Sequence, residues 1–92
     1  MNQIKREENG FYIEENGEKL ANIEFVTSGE NNDILIITHT FVSDQLRGQG
    51  VGNDLVKKVV EFAREEKKLI RPQCSFAKKV MDNTKEYQDQ LA

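Results

Sequence analysis

The segment Arg47-Gly48-Gln49-Gly50-Val51-Gly52 constrains this chain most, because of what flanks it. Upstream, Ile34 to Val42 is apolar and β-branched on both alternating sets, which predicts a central strand covered on two sides. Downstream, Val51, Leu55, Val56, Val59, Val60, Phe62 and Ala63 recur at the spacing of one helical face, predicting a helix from about Val51 to Lys67. Glycines at such a strand-to-helix turn let the backbone bend sharply and approach a ligand. The unpaired N–H groups of the helix's first turn then converge on one place, with the positive end of the helix dipole behind them. That combination favours an anion, above all a phosphate. A dinucleotide fingerprint needs a further glycine where this chain has Asn53, and a phosphate-binding Walker loop needs Lys and Ser or Thr where it has Asn53 and Asp54.

The other elements follow from local pattern. Phe11 and Ile13 alternate with Tyr12 and Glu14, Asn16-Gly17 signals a tight hairpin, and Ala21, Ile23 and Phe25 alternate with Asn22 and Glu24 over residues 19 to 26. A turn falls at 28 to 32. Residues 69 to 74 predict a short strand whose Pro72 suits an edge position. Ser75 is the expected cap of a second helix running to about Asn83. The order predicts an α+β fold: a four-stranded antiparallel meander, the glycine-rich loop, a helix, a fifth strand parallel to the fourth, and a second helix.

At 92 residues the chain suits one domain, spanning 1–92. No apolar run is long enough to cross a bilayer, and the first twenty residues lack the apolar core of a secretory signal, so a cytoplasmic location is expected. One cysteine and one histidine are too few for a structural zinc site. The net charge of −3 divides into about −6 over residues 1–46 and +3 over 47–92, which does not build the strongly basic face that nucleic acid requires.

With these elements in place the sequence resembles the GNAT superfamily of acetyl-CoA-dependent N-acetyltransferases. Arg47-x-x-Gly50-x-Gly52 matches its glycine signature. The string from Val42 to Gly52, joined to Cys74-Ser75-Phe76, is similar to a branch of small single-domain members. The resemblance implies acetyl-CoA or coenzyme A as cofactor. The backbone of Phe41 and Val42 would pair with the pantetheine arm. Arg47 and the N–H groups of Gly48, Gln49, Gly50, Val51, Gly52 and Asn53 would meet the pyrophosphate. Lys57, Lys58, Lys78 and Lys79 are candidates for the 3′-phosphate.

For the chemistry, the resemblance sets Cys74 near the acyl group, as proton donor or as acyl-accepting nucleophile. The opposing reading is a small buried apolar residue. His39, the one side chain that ordinarily titrates near neutrality, is a candidate base, with a structural histidine as the alternative. Asp44 and Glu24 are candidates to attract a cationic substrate. Many superfamily members carry a tyrosine acid at the place that falls here on Val80 and Met81, neither of which has a proton to give. The elements that wall the acceptor pocket in longer members are also missing. The expectation is therefore an open acceptor site taking an amine, on a protein, a peptide or a small molecule, in a monomer or weak homodimer. The alternative is a coenzyme-binding module without turnover.

Overall fold

The computed structural model describes residues 3–92. Strands β1 (Lys5–Glu7), β2 (Gly10–Glu15), β3 (Glu18–Ser28) and β4 (Ile34–Val42) form an antiparallel meander, and α1 (Val51–Glu65) leads to β5 (Leu69–Pro72), which pairs with β4 in parallel. Then follow α2 (Ser75–Asp82) and a 3₁₀ segment over Lys85–Gln90. The sheet order is β1-β2-β3-β4-β5, so the predicted α+β architecture is the one observed. Asn16 and Gly17, at φ 53° and 81°, make the hairpin turn that their sequence announces.

One layer of helix covers one face of the sheet. Leu55, Val56, Val59, Val60 and Ala63 of α1 are fully buried against Ile13, Ile23, Leu35, Ile37 and Ile70, and Ala77 and Met81 of α2 complete the core. Each large side chain buried there contributes about 1.5–3 kcal/mol of transfer free energy. At one end the Arg6 guanidinium lies 4.6 Å from the Phe62 ring centroid and just over 5 Å from those of Phe11 and Phe25, closing the core with a cation on three aromatic faces.

Three expectations change. β4 is covered on one side only: Leu35 and Ile37 are buried, while Ile34 and Ile36 look toward the uncovered face beside exposed Val26 and Leu69. Both helices pack on the same side of the sheet, so among the described residues no helix covers the second apolar set. The fifth strand stops at Pro72, and Cys74 rather than Ser75 is the N-cap of α2. The last residues, which carry no periodic apolar pattern, fold back on α1. The Arg64 guanidinium donates to Gln90 Oε1 at 3.3 Å, to Asp89 Oδ1 at 3.2 Å and to the Glu86 carbonyl at 2.5 Å. Leu91 forms a parallel bridge to Ile70, and the Ala92 amide donates to the Ile70 carbonyl, so the outer edge of β5 is partly satisfied.

Candidate active site

The loop between β4 and α1 is built in two steps. Ser43 N–H donates to the Leu20 carbonyl at 2.7 Å, and its hydroxyl caps a single 3₁₀ turn, Asp44–Leu46, that drives Leu46 into the core. Gly48 and Gly50 then take left-handed backbone at φ 82° and 75°, where a side chain would be strained. Gly50 is the N-cap of α1 and has no side chain to satisfy its first turn. The first bond of the helix is Asp54 N–H to the Gly50 carbonyl, so the N–H groups of Val51, Gly52 and Asn53 have no partner within the helix. They border a cavity of about 340 Å³ whose other walls are Thr40 and Val42 of β4, Leu46, and Phe76 of α2. Arg47 stands at its rim, held at 3.0 Å by Asp44 in an exposed ion pair that is weak enough to release it.

Gly52 does something else. Its φ is helical, and a Cβ there would come within 2.5 Å of Phe76 Cζ. The missing side chain makes room for the Phe76 ring, which lies between α1 and α2 and borders both this cavity and a second groove reaching Lys79, Asn83 and Tyr87.

A bulge sets the direction of the side chains on β4. Phe25 faces Ile37 and Glu24 faces His39, leaving Thr38 as the extra residue. The alternation inverts there, so Thr40 and Val42, opposite Ile23 and Ala21, point to the helix side, and His39 and Phe41 point to the open face. β5 departs at the same level. The last β4–β5 pair is Ile37 with Pro72; the amides of Gln73 and Cys74 both donate to the Ile37 carbonyl, and beyond it β4 makes no backbone-to-backbone hydrogen bond on the β5 side among the described residues. Cys74 Sγ lies 3.4 Å from Thr40 Oγ1 across this gap. Burial pushes the Cys74 thiol up. The Thr40 hydroxyl, the amides of Ala77 and Phe76 in the open first turn of α2, and the Thr40 backbone outweigh that and hold it below the ordinary thiol value.

Of the site residues that the sequence singles out, Val42, Arg47, Gly48, Gly50, Val51, Gly52 and Asn53 share the one cavity. Gln49 turns away into a groove with Asp54 and Lys57, its amide donating to the Gln45 carbonyl. The side chains of Phe41 and His39 lie on the face opposite the cavity, so His39 is not brought to Cys74. Met81, at the place of the expected acid, is fully buried, and Tyr87 lines the groove beyond Phe76, where burial raises its hydroxyl pKa against a partly offsetting Arg64 charge. Nothing in the sequence marks Thr40, since a bulge inside a β-branched run leaves no compositional trace.

Comparison with known proteins assigns this fold to a family. The profile of the GCN5-related N-acetyl-transferases matches residues 10–90. The chain belongs to this family. An uncharacterized N-acetyltransferase of Methanocaldococcus jannaschii is 29% identical over 72 residues, and the chain spans 32% of the length of that relative. The solution structure of a GCN5-like protein of Staphylococcus aureus, assigned to the N-acetyltransferases, is 44% identical and superimposes with a TM-score of 0.78 over 98% of this chain and 87% of that one. An acetyltransferase fold from Clostridium acetobutylicum, solved with acetyl-CoA, aligns with a TM-score of 0.60 at 19% identity, covering 90% of this chain and 61% of that one. In this GCN5-related member no group of three or more His, Cys, Asp or Glu is placed to hold a metal among the described residues. No helix among them is long and apolar enough to cross a membrane.

Proposed function

We propose that this chain is an acetyl-CoA-dependent N-acetyltransferase whose β4–α1 loop holds the coenzyme's pyrophosphate and whose Cys74 meets the thioester. One observation carries the reading. The cavity bordered by the unpaired N–H groups of α1 is also lined by Thr40, and the Thr40 hydroxyl lies 3.4 Å from Cys74 Sγ. The donors suit the group: three amides without helix partners and Arg47 for the phosphates, and, for the amides of the pantetheine arm, the backbone of Phe41 and Val42 on the side away from β3. Lys79 makes no ion pair among the described residues and borders the groove that shares Asn53 and Phe76 with the cavity, so it is the favoured partner for the 3′-phosphate. Lys78 and Lys58 are engaged by Asp82 and Glu61.

Acetyl-CoA supplies an activated acetyl thioester. The Cys74 sulfur, as thiolate, attacks its carbonyl carbon, and the electron pair of the broken carbon–sulfur bond leaves on the coenzyme's sulfur. The amine acceptor then attacks the acetyl carbon on Cys74. The Cys74 sulfur departs with its electron pair, and the amine's proton passes to it or to solvent. A reducing compartment such as the cytoplasm, which keeps a lone thiol free, suits this use. Cys74 is only partly buried, which favours an amine on a peptide or protein as acceptor. A binding module without turnover is the second reading, favoured by the apolar Val80 and buried Met81 where a proton donor was expected.

Calorimetric titration with acetyl-CoA, coenzyme A and desulfo-coenzyme A, followed by mass spectrometry of the titrated protein, tests the proposal. Binding at micromolar affinity, about −8 kcal/mol, with an acetyl group on Cys74 is the expected result. Binding without acetylation removes Cys74 as the acyl carrier and, if an added amine acceptor is not acetylated either, supports the module; absence of binding overturns both readings.

A further inference from the structure

The sulfur of Cys74 is held across a gap by one side chain, and that side chain comes from the part of β4 beyond Ile37, the last residue of the strand to bond the Cys74 backbone. We infer that Thr40 is a positioning residue for Cys74: its hydroxyl fixes the sulfur at the mouth of the β4–β5 gap and donates to it once the thiol proton has left. Three observations point there. Among the described residues the Thr40–Cys74 bond, 3.4 Å from oxygen to sulfur, is the only side-chain hydrogen bond that bridges β4 and the start of α2. Thr40 is also a wall of the cavity, so the same residue touches both the cavity and the sulfur. Finally, the bulge at Thr38 is what delivers it. With unbroken alternation from Leu35 and Ile37, the inward residue near Cys74 would be His39 or Phe41; the extra residue sends those out and turns Thr40 in.

A hydroxyl is suited to the task because it can accept from S–H and, by rotating, donate to S⁻. Among the described residues no charged side chain acts on the sulfur. Its polar surroundings are this hydroxyl, the amides of Phe76 and Ala77, and the Thr40 backbone. Valine has the same shape and β preference but neither function, whereas serine keeps the hydroxyl.

The inference rests on the proposed role of Cys74 for its catalytic meaning, but its first test needs no coenzyme. The rate of Cys74 alkylation by iodoacetamide is followed against pH in the native chain and in Thr40→Val, Thr40→Ala and Thr40→Ser, with the amide NMR spectrum as the check of folding. In Thr40→Val the profile is expected to move to higher pH and the rate at pH 7 to fall about three- to tenfold; Thr40→Ser keeps the native profile. Thr40→Ala serves if the valine variant does not fold. A folded Thr40→Val or Thr40→Ala whose profile superimposes on the native one overturns the inference. A serine variant that moves as far as valine does so too. Mass spectrometry after incubation with acetyl-CoA separates this from the functional reading. A shifted alkylation profile with no acetyl group on Cys74 in any variant upholds the positioning by Thr40 and refutes the acyl-transfer role of Cys74.

Discussion

Replacing Gly52 by alanine tests the packing that joins the two helices beside the cavity. Gly52 lies in the first turn of α1, and alanine is intrinsically better there by about 0.5–1 kcal/mol. The new Cβ, however, would lie 2.5 and 2.8 Å from Cζ and Cε2 of Phe76, closer than carbon atoms approach. Those atoms are the far end of a side chain that is 39% exposed, so the ring can swing toward solvent rather than force the helices apart. Losing the buried share of a phenylalanine costs about 1–2 kcal/mol. The net effect of Gly52→Ala is therefore a destabilisation of about 0.5–1 kcal/mol. In a Phe76→Ala background the obstacle is gone, and the same substitution should stabilise by about 0.5–1 kcal/mol. Urea denaturation of the four chains of this double-mutant cycle should give a coupling energy of about 1–2 kcal/mol and a change of sign. Equal destabilisation in both backgrounds would refute the reasoning, because Gly52 would then be needed for something other than room for the ring.

Gly50→Ala meets no atom within 4 Å, so its cost is the left-handed backbone, about 1–2 kcal/mol; calorimetry should show coenzyme affinity lost with it, and Gly50→Asn should recover part of the stability. Arg64→Met removes the donor to Gln90 Oε1, and Gln90 is 8% exposed. The exposed pair with Asp89 is minor, but a deprived buried amide oxygen costs about 1–2 kcal/mol, and hydrogen exchange should accelerate first over residues 85–92. The folded thiol of Cys74 titrates below the unfolded one. Its contribution to stability is therefore fully present above the unfolded value and is lost as pH falls through the folded value. Tyr87 acts in the opposite sense, its contribution lasting below the ordinary tyrosine value and vanishing as pH rises through the folded one. Stability measured against pH should rise through the thiol window in the native chain and stay flat there in Cys74→Ser.

Local pattern decided most of the architecture. Alternation marks β2 and β3, Asn16-Gly17 fixes the hairpin because both residues accept positive φ, and the 3.6-residue repeat from Val51 to Ala63 marks α1. The glycine loop was legible for the same reason: Gly48 and Gly50 answer a backbone demand that few residues can meet. Only tertiary structure decided the rest. That Gly52 serves Phe76 rather than a turn depends on where α2 docks, twenty-odd residues later in the chain. Ile34 and Ile36 predict burial on both faces of β4, yet both helices chose one side, and the sequence of a strand does not say which of its faces will find a partner. Most of all, the identity of the group that meets Cys74 was settled by a single extra residue at Thr38. The bulge is a matter of register between β3 and β4, and it turns His39 outward and Thr40 in, although nothing in the run from Ile34 to Val42 marks where the extra residue falls.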